Sequence, residues 1–176
     1  MNIEKLFDNE TLENRINKLA IKIDNYFEGQ DLTVLCVLKG SFMFTSQLIK
    51  KMNTNVELDF IKIHSYDNKQ ISDGNIKLDF DCGNVEGKNI LIVDDIVDTG
   101  YSLQYLINHL KEKGAKNIKS CALLNKESRR KVNIKADFIG FDIDDLFVLG
   151  YGLDYNQKYR NLDYIGYISD EKQKKI

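Results

Sequence analysis

The stretch NILIVDDIVDTGYSLQYL, residues 89–106, places an apolar run, three acidic side chains and the start of an amphipathic segment in direct succession. Residues 89–93 predict a buried strand. The segment 102–114 carries leucine and isoleucine at helical spacing and ends at Gly114, which predicts a helix. A strand followed at once by a helix is typical of a parallel sheet, in which ligands bind beyond the carboxyl ends of the strands. The acidic turn between them is therefore predicted to lie in a ligand site.

The rest of the chain continues this alternation of strands and helices. The apolar pattern predicts helices at 12–27 and 41–52 and further strands at 33–38, 56–64, 76–80, 117–124, 137–141, 146–151 and 164–168. The predicted fold class is α/β, with a mostly parallel sheet flanked by helices. No repeat or change of composition divides the 176 residues, so a single domain over residues 1–176 is expected. The polar segment 65–75 is longer than an ordinary connection, and long loops are often functional.

Composition limits the classes of partner and compartment. The net charge of −2 gives no electrostatic reason to expect nucleic acid or an anionic membrane surface as a partner. The N-terminus lacks the apolar core of a signal peptide, and no apolar run approaches the ~20 residues that span a bilayer. The three cysteines have no metal-ligand spacing, and two of them lie in apolar runs, which favours buried thiols. A cytoplasmic location is expected.

The acidic turn combines two kinds of binding chemistry. Gly100 can adopt a positive φ and has no side chain to block a ligand, while the free N–H groups and the dipole of the following helix favour an anion. Thr99 and Ser102 add hydroxyl donors, so this turn should hold a phosphate. Ionised Asp94 and Asp95 only accept hydrogen bonds, so they require hydroxyl donors or a divalent cation. A ribose 5-phosphate meets both demands, although an isolated D-x-x-D-T-G could equally form a capped turn without a ligand.

The whole run through the two acids and DTG is more specific, and it resembles the phosphoribosyl pyrophosphate (PRPP) motif of the type I phosphoribosyltransferases. Three other segments, LKGS (38–41), LLNKESRR (123–130) and DLFVLGYGLDYNQKYRNL (145–162), narrow the resemblance to the hypoxanthine–guanine phosphoribosyltransferases. Taken alone, the first would be an ordinary strand–helix corner and the second a solvated basic loop. The resemblance extends over residues 7–168. It implies the type I phosphoribosyltransferase fold, with a mobile loop at about 65–75 and a base-binding hood at about 145–168 built from the C-terminal and N-terminal parts of the chain.

The resemblance also implies a role for each matching residue on the PRPP side. Asp94 and Asp95 would bind the 2- and 3-hydroxyls of the ribose with Mg²⁺ nearby, and Asp98 would be the general base near the purine N7. The 5-phosphate would be held by Thr99, Gly100, Tyr101 and Ser102. The pyrophosphate would be held by Lys39, Gly40 and Arg160, with a non-proline cis peptide between Leu38 and Lys39. Tyr101 departs from the basic or small aliphatic residue often found there, which leaves the phosphate affinity open.

On the base side, the resemblance implies that Lys126 donates to the purine O6, that Phe147 stacks on the base and that the Val148 backbone reads its edge. Asp154 would contact a second Mg²⁺ and, through its backbone, the C2 side of the base. Ser65 and Tyr66 would head the mobile loop. Leu146 replaces a basic residue that some relatives carry, which leaves the electrostatics near the base open. Apart from Lys126, the cluster 126–131 is expected to be surface or a subunit contact.

The implied activity is transfer of the phosphoribosyl group of PRPP to N9 of hypoxanthine or guanine, with Mg²⁺ as cofactor and assembly as a homodimer or homotetramer. A lysine donor suits a 6-oxo purine and faces the amino group of adenine with like donors, which argues against adenine and pyrimidines but not against xanthine. The other alternative is a PRPP-sensing regulator without turnover. Such a protein should carry a nucleic-acid module or a basic face, and the slightly negative charge argues against one.

Overall fold

The computed structural model describes residues 2–65 and 76–169. The elements are β1 (Ile3–Phe7), α1 (Asn9–Tyr26), β2 (Leu32–Leu38), α2 (Phe42–Lys51), β3 (Val56–Ser65), β4 (Ile76–Phe80), β5 (Asn89–Val97), α3 (Tyr101–Glu112), β6 (Asn117–Asn125), a 3₁₀ turn (Glu127–Arg129), β7 (Phe138–Asp142), β8 (Val148–Leu149) and β9 (Ile165–Ile168). Ser65 is the last residue of β3. Tyr66 and the rest of the predicted mobile loop lie outside the described residues.

Two sheets organise the described part of the chain. The main sheet has six strands in the order β4-β3-β2-β5-β6-β7, and every neighbouring pair is parallel except β3 with β4. The second sheet is antiparallel, in the order β1-β9-β8, so it joins the two ends of the chain. The predicted α/β class and the small hood from both termini are thereby confirmed. No helix in the described ranges is both long and apolar enough to cross a membrane.

Successive residues of the central strand β5 pack into two different hydrophobic cores, one on each face of the main sheet. Leu91 and Val93 pack in the cluster that contains the apolar faces of α1 and α2. Ile90 and Ile92 pack on the opposite side of the sheet, in the cluster that contains the apolar face of α3, including Leu106. Because both faces are covered, this strand is a continuous apolar run rather than an alternating one. All three cysteines are free and buried, as predicted.

Two strands differ in length from the sequence predictions. β5 continues to Val97, four residues beyond the predicted end at 93, and Asp94 pairs with Ala122 of β6. The predicted strand 146–151 is reduced to Val148–Leu149 because Gly150 and Tyr151 have φ values of 92° and 51°, at which an extended strand cannot continue. Because β5 extends to Val97, the acidic pair Asp94–Asp95 lies within the sheet rather than in a free loop.

Candidate active site

The residues predicted for the site converge at one edge of the main sheet. β2, β5 and β6 are parallel, so Lys39, the acidic turn and Lys126 all follow carboxyl ends at the same edge. The backbone N–H of Lys126 donates to the carbonyl of Val97 at 3.0 Å, and that of Lys131 donates to the carbonyl of Thr99 at 2.9 Å. These two bonds hold the loop after β6 against the turn after β5.

The turn into α3 has the geometry of an anion site. Gly100 adopts φ 90° as the residue before the helix, and within the described part of the chain no side chain caps the helix start. The first N–H groups of an α-helix have no intrahelical acceptor, so those of α3 are available to a ligand. A Cβ on Gly100 would lie 2.7 Å from Ile134 Cγ2 and 3.0 Å from Arg130 Cδ. Both the backbone conformation and the packing therefore require glycine in the turn predicted to bind phosphate, at Thr99–Ser102.

The two neighbouring carboxylates are poorly solvated. Asp94 is only 9% exposed, and Asp95 is half-buried. The Asp95 N–H donates to Asp94 Oδ1 at 3.0 Å, and the Ile96 N–H donates to Asp95 Oδ1 at 2.9 Å. Burial raises the pKa of both groups, and the charge of Asp95 raises the pKa of Asp94 further. A desolvated pair of like charges is stabilised by a cation or by hydroxyl donors, which is the chemistry of a divalent metal or a vicinal diol.

The loop after β2 is wedged between this carboxylate pair and the hood. The Leu38–Lys39 peptide is cis, as the resemblance implied, and the Lys39 side chain is exposed. A Cβ on Gly40 would lie 1.6 Å from Asp95 Oδ2, and a Cβ on Gly152 would lie 2.1 Å from the Gly40 carbonyl oxygen. Two glycines therefore allow the loop to touch the acidic pair on one side and the hood on the other.

Arg160 is fixed beside this loop by the hood. Its Nη1 donates to the Gly152 carbonyl at 2.8 Å, and the Gly152 N–H donates back to the Arg160 carbonyl at 2.9 Å. Its Nη2 lies 2.7 Å from Asp154 Oδ1. The three residues predicted to bind pyrophosphate, Lys39, Gly40 and Arg160, are thus brought to adjoining segments.

The predicted metal ligands are brought together only in part. Within residues 2–65 and 76–169, no group of three or more histidine, cysteine, aspartate or glutamate side chains is placed to hold a metal ion. Asp154 is paired with Arg160 and accepts the Gln157 N–H at 2.8 Å. Asp94 and Asp95 do fit Mg²⁺, which prefers carboxylate oxygens and usually binds one or two of them together with water and substrate phosphates.

The base side of the site contains one buried cation and one exposed aromatic ring. Lys126 is 7% exposed, and its Nζ lies 3.8 Å from Asp145 Oδ1. Phe147 is 44% exposed, and its ring meets that of Tyr155 edge-on at a centroid distance of 5.6 Å. Val148 is buried in β8. The exposed face of Phe147 argues against core packing and favours the predicted stacking role.

Arg129 is a residue of this site that the sequence did not reveal. Its Nε lies 2.9 Å from Asp98 Oδ1, and its Nη1 donates to Asp145 Oδ1 at 3.2 Å. Arg130 Nη2 hydrogen-bonds Asn125 Oδ1, and its aliphatic stem packs at Gly100. Arg129 is exposed, in line with the expected surface position, but that expectation did not include the contacts that these two arginines make with residues of the predicted site. The available signal was spacing, since Arg129 follows Lys126 by three positions, which is the period of a 3₁₀ helix such as the turn at Glu127–Arg129.

Two other clefts lie away from this edge. One, of about 610 Å³, is at the amino ends of β2, β3 and β5 and includes Glu57 and Lys88 in its lining. The other, of about 650 Å³, lies between α1 and β7 and includes Arg15. Among the described residues, neither cleft is lined by a residue predicted for the site. The chemistry is therefore concentrated at the carboxyl edge, which is the usual ligand position in such sheets.

The chain belongs to the phosphoribosyl transferase domain family, whose model matches residues 2–156, and its fold is the type I phosphoribosyltransferase fold. It is 43% identical over 167 residues to the hypoxanthine-guanine phosphoribosyltransferase of Bacillus subtilis, covering 93% of this chain and 92% of that protein. A crystal structure of a hypoxanthine-guanine phosphoribosyltransferase from Bacillus anthracis is 41% identical, with a TM-score of 0.91 over 95% of this chain and 99% of that one. A structure of the Trypanosoma cruzi hypoxanthine phosphoribosyl transferase is 34% identical, with a TM-score of 0.90 over 97% of this chain and 93% of the other.

Proposed function

We propose that this protein is a purine-salvage enzyme that transfers the 5-phosphoribosyl group of PRPP to N9 of hypoxanthine or guanine, forming IMP or GMP and pyrophosphate. The observation that carries this proposal is the placement of a buried lysine, Lys126, at the same sheet edge as the phosphate turn and the acidic pair. Relatives named hypoxanthine-guanine phosphoribosyltransferase match the chain over nearly their whole length, which supports the same activity here.

PRPP binds across three segments of the edge. The N–H groups and hydroxyls of residues 99–102 hold the 5-phosphate, and the carboxylates of Asp94 and Asp95 accept hydrogen bonds from the two ribose hydroxyls. The pyrophosphate lies by the loop of Lys39 and Gly40, next to Arg160. The phosphate groups therefore meet N–H donors and cations, and the ribose hydroxyls meet carboxylate acceptors. Together these contacts fix the position of ribose C1.

In the reaction, the bond between ribose C1 and the pyrophosphate oxygen breaks and a bond from C1 to purine N9 forms. The proton leaves N7 of the base for the carboxylate of Asp98, which compensates for the electron pair that N9 donates. Arg160 and Lys39 stabilise the negative charge of the departing pyrophosphate. Mg²⁺, held by Asp94 and Asp95, would add Lewis-acid stabilisation of that charge. Ser65 and Tyr66 begin the segment proposed to close over the site and exclude water.

The base is recognised on two edges and one face. Lys126 Nζ donates to O6, Phe147 stacks on the ring, and the Val148 backbone bonds the adjacent edge. Asp154 contributes its backbone to the C2 side, and its carboxylate, next to Arg160, would contact a second Mg²⁺. In a 6-amino purine, the N–H donors of the amino group would face the N–H donors of buried Lys126. Neither group would then have an acceptor, and leaving buried donors unpaired is costly.

We further propose that the protein acts as a single domain over its 176 residues, in the cytoplasm, and as a homodimer or homotetramer. The structure of the Trypanosoma cruzi relative was described as addressing how its C-terminal region affects oligomeric state and enzymatic activity. Size-exclusion chromatography with light scattering gives the number of copies directly. A monomer at micromolar concentration would contradict this part of the proposal.

The activity is tested by incubating the purified protein with PRPP, Mg²⁺ and each of hypoxanthine, guanine, xanthine and adenine, and following nucleotide formation spectrophotometrically. We expect turnover with hypoxanthine and guanine and at least 10²-fold lower kcat/KM with adenine, because the lysine cannot pair with a 6-amino group. Omission of Mg²⁺ should reduce turnover. A protein that binds PRPP but forms no nucleotide from any base would instead be a PRPP-sensing regulator.

Replacing Lys126 with Met isolates the O6 contact. The variant keeps the length of the side chain but loses the charged donor, so we expect kcat/KM for hypoxanthine to fall by about 10- to 10²-fold, the usual value of a hydrogen bond to a charged group. The KM for PRPP should change little. Lys131→Met, which alters an exposed lysine of the same loop, is the matched control. Equal losses in both variants would remove Lys126 from base recognition.

A further inference from the structure

We propose that Arg129 is a positioning residue for the general base, because its guanidinium bridges Asp98 on the phosphate turn and Asp145 at the start of the hood. This inference rests on the proposed function, in which Asp98 receives the N7 proton. It extends that function by naming the residue that orients the Asp98 carboxylate while leaving one of its oxygens accessible to the substrate.

The bridge uses the particular shape of an arginine side chain. Nε lies 2.9 Å from Asp98 Oδ1, while Nη1 lies 3.2 Å and 3.4 Å from the two carboxylate oxygens of Asp145. The Arg129 N–H donates to the Lys126 carbonyl at 3.2 Å, so the 3₁₀ turn fixes the point from which the side chain extends. A planar guanidinium can pair with two carboxylates at once, whereas a lysine offers a single point charge.

The contact with Asp98 constrains one carboxylate oxygen without consuming the other. Asp98 Oδ1 is enclosed, and no well-angled hydrogen bond reaches it within the described residues, so the attraction to Arg129 is mainly Coulombic. An oxygen held against a cation restricts rotation of the carboxylate and leaves the second oxygen for another partner. That arrangement suits a base that must meet the N7 proton at a defined distance.

The exposure of the pair argues against a role in folding. The Arg129 side chain is 47% exposed and that of Asp98 is 34% exposed. Ion pairs at such exposed positions contribute little to stability because solvent and salt screen them. The bridge is therefore expected to act on the orientation of Asp98 rather than on the free energy of unfolding.

Asp145 links the orientation of Asp98 to recognition of the purine base. Its Oδ1 lies 3.2 Å from Arg129 Nη1 and 3.8 Å from the Nζ of buried Lys126. One carboxylate therefore faces both the cation proposed to bind O6 and the cation that holds Asp98. Asp145 also precedes Phe147 by two residues, so it is carried on the same segment as the stacking ring.

The test is steady-state kinetics of Arg129→Gln with hypoxanthine and PRPP. We expect kcat to fall about tenfold, the KM for PRPP to stay within twofold of the wild-type value and the melting temperature to be unchanged. Lys135→Gln removes the same charge from an exposed position before β7 and should keep wild-type kcat. Arg129→Lys should restore only part of the loss, because a single ammonium cannot bridge both carboxylates.

A double-mutant cycle separates positioning from any independent effect. Arg129→Gln should have no further effect on kcat in an Asp98→Asn background, since it acts through Asp98. Multiplicative losses, or wild-type kcat in Arg129→Gln alone, would overturn the inference. In either case, a wild-type enzyme that makes IMP and an Asp98→Asn variant whose kcat is lower by about 10²- to 10⁴-fold would leave the proposed function intact.

Discussion

Replacing Asp98 with Asn is expected to lower kcat by about 10²- to 10⁴-fold, the usual contribution of a positioned acid–base group, while PRPP binding is largely retained. The amide keeps the size of the side chain but cannot take a proton from N7. PRPP binding should persist because the phosphate turn and the acidic pair are separate groups at the edge. Steady-state turnover with hypoxanthine and calorimetric titration with PRPP measure the two effects separately.

Two comparisons sharpen this experiment. Asp163→Asn makes the same exchange at an exposed position of the loop before β9 and should keep full activity. Asp98→Glu retains a carboxylate one methylene longer, so it should recover more activity than the amide if proton transfer is the role of Asp98. Full turnover by Asp98→Asn would show that another group accepts the proton and that Asp98 has no part in it.

Much of the main sheet could be predicted because its signals are local. The apolar run of β5, covered on both faces, and the helical spacing of α3 both reflect neighbouring residues. β1 was missed because Ile3–Phe7 becomes a strand by pairing with β9, where Ile3 opposes Ile168 across nearly the whole chain. The end of β5 was placed too early because Asp94 and Asp95 resemble a loop in composition, although their backbone continues the pairing with β6.

The limits at the site have the same origin. Ligand roles for Gly100 and the acidic pair could be predicted from their chemistry, because the turn and its ligand requirements lie within a few residues. The contact between Arg129 and Asp98 joins segments about 30 residues apart, and an arginine in a basic cluster gives no sign of which carboxylate it faces. The prediction that Asp154 contacts a second Mg²⁺ could not anticipate its pairing with Arg160.

Gly40→Ala is expected to raise the Kd for PRPP by about 10- to 10²-fold. A Cβ at this position would lie 1.6 Å from Asp95 Oδ2, so either the carboxylate must turn away or the loop must move. Both changes remove contacts proposed for the ligand, one to the ribose diol and one to the pyrophosphate. Each charge-assisted hydrogen bond contributes about 1.5–3 kcal/mol, and about 1.4 kcal/mol is tenfold in affinity, so the loss of one contact gives that size. Calorimetric titration with PRPP and Mg²⁺ measures it.

A matched substitution distinguishes this local clash from the general cost of replacing a glycine. Gly83→Ala adds the same methyl group in the turn after β4, where the new Cβ would lie 3.3 Å from a carboxylate oxygen of Asp59, which is not a residue of the predicted site. It should bind PRPP normally. Both variants should remain folded, because the obstacle at Gly40 is the movable end of the Asp95 side chain rather than the core. Normal PRPP affinity in Gly40→Ala would mean that the group displaced by the new methyl, the Asp95 carboxylate or the loop after β2, does not contribute to binding, and the proposed ligand orientation would fail with it.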